Sequence, residues 1–172
     1  MTKLNKLTIL ISSLALSCAA FAATSVNTMD ITASVDGSCS VSSTGADFGA
    51  VVQFGGASST GTIDVNCSSG LIYNVALDAG LQVQAGGTER SMASGADFIR
   101  YQLLKGSGTG GSGLEWGDTG FGNTFTQGNP VSSSGTGALQ QFSFNLGVVS
   151  EGTNDYTPGA NYSDTVTITV HF

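Results

Sequence analysis

The sequence predicts an all-β fold, an antiparallel sandwich with Greek-key crossings, behind a cleaved leader. Apolar residues recur at every second position in run after run, the period of a strand with one face in a core. Between the runs lie breaks rich in glycine, of which the chain has 25 against only 2 prolines. No segment carries a sustained apolar stripe of helical period, and the Gly- and Ser-rich composition suits strands and turns.

The first element is the leader. Lys3 and Lys6 give a positive start, and Leu7 to Leu16 is apolar apart from Thr8, Ser12 and Ser13. Ala20-Phe21-Ala22 supplies small residues at −3 and −1 of a cleavage site. This three-part pattern is a secretory signal, too short to span a bilayer. Residues 1–22 are therefore expected to be removed. Cys18 is considered as a lipoprotein cysteine, but Ala15-Leu16-Ser17 lacks the large aliphatic residue usual at −3. The expected route is export, with the periplasm in transit and then the cell surface or the medium. Nothing after residue 23 is apolar for long enough to span a bilayer, so no direct membrane insertion is expected.

Removing the leader changes the charge. The whole chain carries −7, and the leader holds two Lys and no acid, so the rest carries −9. Only Arg90, Arg100 and Lys105 remain basic. Binding phosphate backbones needs clustered cations, so nucleic acid and anionic lipid are poor partners. The remaining length fits one domain with a real core.

Cys39 and Cys67 remain after cleavage. An even pair in an oxidising compartment reads as a disulfide, worth about 3–4 kcal/mol for a loop of this length. A metal reading fails for want of ligands, because His171 is the one histidine. No cofactor is expected.

The strands follow in chain order. Met29, Ile31, Ala33 and Val35 alternate with Thr28, Asp30, Thr32 and Ser34, and Gly37 ends the run. Such a free N-terminal strand can pair within its own sheet or with the exposed sheet edge of another molecule. Phe48 to Phe54 is a strand candidate. Ile63, Val65 and Cys67 share an inward face, as do Tyr73, Val75 and Leu77. Ile99, Tyr101 and Leu103 form another, with Phe98 and Leu104 on the opposite side. Phe142, Phe144, Leu146 and Val148 repeat the pattern. Val166, Ile168, Val170 and Phe172 close the chain, alternating with Thr165, Thr167, Thr169 and His171. Asp78 to Gly95, Gly106 to Gly113 and Gly128 to Gly137 read as turns and mobile loops.

Catalytic patterns are weak. A Ser-His-Asp site would need His171, next to last on the polar face of a strand. Asp155 with Asp164, or Glu115 with Asp118, pair only as any acidic chain pairs carboxylates. Gly106-Ser-Gly108-Thr-Gly110-Gly111 fits a phosphate-cradling pattern but lacks the helix that must follow it. Trp116, with Phe121 and Phe125 nearby, is a candidate platform for a sugar ring; a tryptophan packed in the sandwich is the commoner explanation. No enzymatic activity is expected.

Taken as ordered blocks, residues 26–172 resemble a spore coat protein U domain, the family that includes subunits of archaic chaperone–usher pili. The blocks are the alternating run into Gly37-Ser38-Cys39, Asp47-Phe48-Gly49, and Gly61-Thr62-Ile63-Asp64-Val65-Asn66-Cys67. Tyr73-Asn74-Val75-Ala76-Leu77-Asp78-Ala79-Gly80, Arg90-Ser91-Met92 and Tyr101-Gln102-Leu103 follow. Tyr162-Ser163-Asp164-Thr165-Val166-Thr167-Ile168-Thr169-Val170 comes last, before Phe172. The stretch from Gly106 to Trp116 matches no block.

The resemblance implies an immunoglobulin-like sandwich lacking its final G strand, so that part of the core lies open as a groove. It implies residues 23–37 as a donor strand, with Met29, Ile31, Ala33 and Val35 inserting, and residues 38–172 as the sandwich. Val166, Ile168, Val170 and Phe172 would form the last strand, at the groove rim and against a chaperone. The implied partners are a periplasmic chaperone, an outer-membrane usher and other pilin subunits, and the implied role is a fimbrial subunit in adhesion or biofilm formation. The alternative is a secreted, non-polymerising binding module of the same fold, sugar-binding through Trp116.

Overall fold

The computed structural model describes residues 27–51, 57–84, 89–106, 113–149, 157–158 and 160–172. The leader, most of the Gly106 to Gly113 loop and Asp155 lie outside the described residues. The chain divides into two compact units, residues 1–34 and 35–172. In the first, residues 27–34 hold no regular structure, and Met29 and Ile31 are exposed. The strand expected from their alternation is not formed. Alternation supplies a face, but a strand also needs a neighbour for its backbone N–H and C=O groups.

Among the described residues the second unit holds eight strands: β1 Cys39–Ser43, β2 Ser58–Cys67, β3 Ile72–Leu77, β4 Arg90–Ser94, β5 Asp97–Lys105, β6 Val131–Ser134, β7 Leu139–Val148 and β8 Ile168–His171. All pairings are antiparallel. One sheet has the order β1-β2-β7-β5-β4 and the other β6-β3-β8. Neighbours such as β2 and β7 are far apart in sequence, which is the crossing pattern of a Greek-key sandwich.

Period-2 burial follows the sequence closely in four strands. Ile63, Val65 and Cys67 of β2, Tyr73, Val75 and Leu77 of β3, Ile99, Tyr101 and Leu103 of β5, and Phe142, Phe144, Leu146 and Val148 of β7 all face the interior. β1 lies along β2 with Cys39 directly opposite Cys67, and the expected disulfide joins them.

Four expectations need correction. Phe48–Val51, the described part of the run from Phe48 to Phe54, is not a strand. Asp47 turns the chain there, its Oδ1 accepting the Gly49 N–H at 2.8 Å. Gly49 follows at φ +63°, outside strand geometry. Conversely, β6 lies inside the segment from Gly128 to Gly137, and β4 inside that from Asp78 to Gly95. β6 has one apolar anchor, Val131, and β4 buries Arg90 and Ser91. Neither shows the apolar alternation by which a strand is recognised. The last run is regular over only four residues, Ile168–His171, although burial alternates from Asn161 through Val170.

Candidate functional site

One part of the sandwich interior is sealed by the chain between Glu115 and Asn129. Trp116 is fully buried, and its Nε1 donates to the Val75 carbonyl at 2.8 Å. Its ring meets Phe142 edge-on. It therefore presents no face to a sugar, and the expectation of a stacking platform there is withdrawn.

Arg90, 1% exposed, holds the same region. Its Nε donates to the Asp78 carbonyl at 2.9 Å, and its Nη2 to the carbonyls of Asp78, Leu77 and Trp116 at 2.6, 3.0 and 2.8 Å. Nη1 pairs with Glu115 Oε2 at 3.5 Å, and the guanidinium lies 3.9 Å from the centre of the Phe125 ring. Burial pulls the Arg90 pKa down, opposed by the charges of Tyr101, Glu115, Asp78 and Asp118. Burial also pushes the Glu115 carboxyl up, against the pull of Arg90 and the Leu103 N–H.

Asp118 staples the loop that follows. Its Oδ1 accepts the Phe125 N–H at 2.7 Å, and its Oδ2 accepts the Thr124 N–H and hydroxyl at 2.9 and 2.7 Å. Burial works against its charge, but these hydrogen bonds outweigh it and hold the carboxyl below its ordinary range. Glu115 and Asp118 are therefore committed to packing rather than poised as an acid–base pair. His171 lies over Phe121, ring centroids 4.8 Å apart.

The rest of the interior is open. A cavity of about 670 Å³ lies between Ile63, Ile99, Tyr101, Leu103, Phe144 and Leu146 of the large sheet and Leu77, Val166 and Ile168 on the other side. The segments 43–51 and 160–164 also border it. Val65, Tyr73, Val75, Phe142 and Trp116 do not.

The chain beside this cavity changes sheets. Ser163 and Ala93 exchange backbone hydrogen bonds at 3.0 and 3.1 Å, which ties the chain to β4. Five residues on, Ile168 pairs with Leu77 of β3. Two carboxylates hold the crossing. Asp164 Oδ1 accepts the N–H groups of Leu81, Gln82 and Thr165 at 2.9, 3.1 and 2.8 Å, and its Oδ2 accepts the Tyr101 hydroxyl at 2.6 Å. Asp78 Oδ1 accepts the N–H groups of Gly80 and Thr167 at 2.9 and 2.8 Å. Gly80 has φ +81°, and a methyl group added there would overlap the Asp164 carboxylate. Burial, reinforced by Asp164, pushes the Tyr101 hydroxyl well above the ordinary tyrosine range.

Among the described residues β8 bonds to β3 on one side only, as the outer strand of its sheet. Val166, Ile168 and Val170 turn toward the core yet stay only half-buried, and Phe172 is 62% exposed. Of the four last-strand residues expected at a groove rim, Val166 and Ile168 border the cavity. Val170 packs further along the core, and Phe172 is mostly exposed. Met29, Ile31, Ala33 and Val35 are all exposed. Arg90 enters the sequence reading only as a charge and within a family block, and Asp164 only as a catalytic candidate and within a family block. The signal for Asp164 is the pairing of Asp78-Ala79-Gly80 with a second Asp two residues after a tyrosine.

Together these features define an immunoglobulin-like sandwich that, among the described residues, keeps a cavity in its interior and an outer strand, β8, beside it. The chain belongs to the spore coat protein U domain family, whose model matches residues 25–169. No curated protein matches it. Among solved structures, it is similar to a chain of the CsuC–CsuE chaperone–tip adhesion subunit pre-assembly complex from archaic chaperone–usher Csu pili of Acinetobacter baumannii. The identity is 25% and the TM-score 0.57, over 80% of this chain and 40% of that one. The match thus spans about two fifths of that neighbour's length.

Proposed function

We propose that this protein is a non-enzymatic subunit of a surface pilus, exported behind residues 1–22 and joined to its neighbours by donor-strand complementation. The N-terminal segment 23–37 of one subunit enters the sandwich, residues 38–172, of the next. A periplasmic chaperone occupies the site first, and an outer-membrane usher directs the exchange. The fibre then serves adhesion or biofilm formation at the cell surface.

The observation that carries this reading is the coincidence of a cavity, bordered by apolar side chains of both sheets, with β8 as the outer strand among the described residues. An added strand gains both there: ladder hydrogen bonds along the edge and burial of alternate side chains. Met29, Ile31 and Val35 offer such side chains on an exposed segment. Burying them with Ala33 is worth at most about 6–12 kcal/mol. The resemblance to a chain of a pilus chaperone–subunit complex supports the same reading.

Deletion of residues 27–36 tests it. The truncated protein should remain able to form the Cys39–Cys67 bond and bind a chaperone, but should yield no polymer in sedimented surface material. Normal polymer from the truncated chain would sink the donor-strand reading.

A further inference from the structure

We infer that a hollow on the outer face of β3 and β8 binds one neutral sugar residue, packed against Phe121 and hydrogen-bonded by Thr167, Thr169 and Asp78. The site lies across β8 from the interior cavity and stands whether or not the chain polymerises.

Alternation along the last run turns Val166, Ile168 and Val170 toward the core, so Thr167, Thr169 and His171 take the other face. Thr169 lies opposite Ala76 of β3, and both line a hollow of about 160 Å³, room for one sugar ring rather than a chain of them. The facing wall is the loop that carries Asp118 and Phe121. That loop is fastened to itself. The N–H groups of Phe121, Gly122 and Asn123 donate to the Asp118 carbonyl at 2.8, 3.2 and 3.3 Å, and Gly120 N–H donates to Asn123 Oδ1 at 2.7 Å. Asn123 has φ +57°, the one non-glycine residue in the left-handed region among the described residues. A methyl group added at Gly122 would come within 2.6 Å of Asp118 Oδ2. Of the aromatic residues near Trp116 in sequence, Phe125 is buried, whereas Phe121 is 39% exposed with the His171 ring beside it.

The polar groups decide the ligand class. The hydroxyls of Thr167 and Thr169, the His171 imidazole and Asp78 Oδ2 make no hydrogen bond among the described residues. They put donors and acceptors next to an apolar ring, which suits a ligand with hydroxyls on its rim and C–H groups on its face. Both Asp118 oxygens are spent on the loop, and Asp78 Oδ1 is spent on Gly80 and Thr167. The single carboxylate oxygen left over is too few for a metal ion. Among the described residues no Lys or Arg lines the hollow, and its two aspartates repel an anion.

Nuclear magnetic resonance on the exported chain tests this, through the ring C–H signals of His171. It is the chain's one histidine, so its signals need no assignment. The probes are the methyl glycosides of glucose, galactose and mannose, each with its uronate form as the charged counterpart. At least one neutral glycoside should shift the signals along a saturation curve, with a dissociation constant on the order of millimolar, the scale for a ligand of so few atoms. Phe121→Ala should weaken that binding by about tenfold, the scale of an aromatic contact. Thr169→Val should weaken it by about threefold, the scale of one exposed hydrogen bond. The matching uronate should bind more weakly by about threefold or more, from its like charge. If F121A is not recovered with its Cys39–Cys67 bond, Phe121→Leu replaces it, with weakened binding still expected. No saturable shift with any of the neutral glycosides, or unchanged affinity in the position-121 variant, overturns the inference. Equal binding of uronate and neutral glycoside overturns the assignment to neutral sugars.

Discussion

The two halves of the sandwich interior use the same strands and reach opposite outcomes. Around Val65, Tyr73, Val75 and Phe142 the sheets are closed by an indole, a buried guanidinium and a stapled loop. Around Ile99, Leu103, Leu146 and Ile168 the same sheets enclose a cavity, and the chain beside it ends in a strand with a free edge. Core residues of comparable apolarity line both halves. What differs is whether the chain itself supplies the covering element. The sealed half has residues 115–129 for that purpose, and they bring their own polar fasteners. The open half is bordered by the segment 43–51 and by residues 160–164, and a cavity remains. Within one domain, one half is fastened shut by its own chain and the other keeps a cavity.

The largest break in this comparison comes from Arg90→Leu. The substitution leaves the carbonyls of Leu77, Asp78 and Trp116 without their donor and Glu115 without its cation. Losing one partner of a buried, hydrogen-bonded charge costs about 3–5 kcal/mol. The urea midpoint of the purified chain should fall accordingly. Arg90→Lys should recover little of it, because an ammonium cannot serve the same fan of acceptors while lying over Phe125. A midpoint unchanged by either substitution would mean that the sealed half is held by its apolar packing alone.

A smaller effect, with a sign fixed by charge, comes from Asp118. Its carboxyl titrates lower in the folded protein than in the unfolded chain. The folded state therefore favours the charged form, and its stabilising contribution is present in full above the unfolded value of about 3.9. It disappears as pH falls through the lower folded value. Asp118→Asn should cost about 1.5–2 kcal/mol near neutrality, the scale of hydrogen bonds to a charged acceptor. It should also flatten the acid limb of a plot of stability against pH, because the titrating group is gone. Parallel acid limbs in the two proteins would assign the loop's stability to its backbone bonds instead.

How much of this was legible in the sequence divides along the same line. The inward faces of β2, β3, β5 and β7 read directly, because alternation reports burial when both sheets are present to bury it. The disulfide read directly from count and compartment. The run from Phe48 to Phe54 misled because its apolar content resembles a strand, while the Asp-Phe-Gly turn within it decides the backbone. β6 hid in a Ser-rich segment whose pairing comes from β3 rather than from its own side chains. Arg90 was visible only as a charge and a block residue, since the carbonyls it gathers come from 77, 78 and 116 and no local pattern brings them together. The open half was the least legible from periodicity. Val166, Ile168 and Val170 alternate like any core strand, and only the sheet order places them at an edge. The groove itself entered through the family resemblance.

The smallest effect gives the sharpest reading of the comparison. Val75 and Val166 are the same residue type on inward faces, one fully buried in the sealed half and one half-buried at the cavity. Val75→Ala removes packed methyl groups and should cost about 2 kcal/mol in the isolated subunit. Val166→Ala removes groups that already border empty space, and it should cost less than about 1 kcal/mol there. The gap should narrow if a strand fills the cavity. Val166 then gains contacts that Val75 already has, so its truncation should weaken the filled state by an amount approaching the Val75 figure, while the cost at Val75 stays put. Measuring both variants in the free subunit and in polymer, by the denaturant needed to dissociate or unfold each, separates a cavity that receives a strand from one that stays empty. Only the first makes the penalty at Val166 depend on assembly.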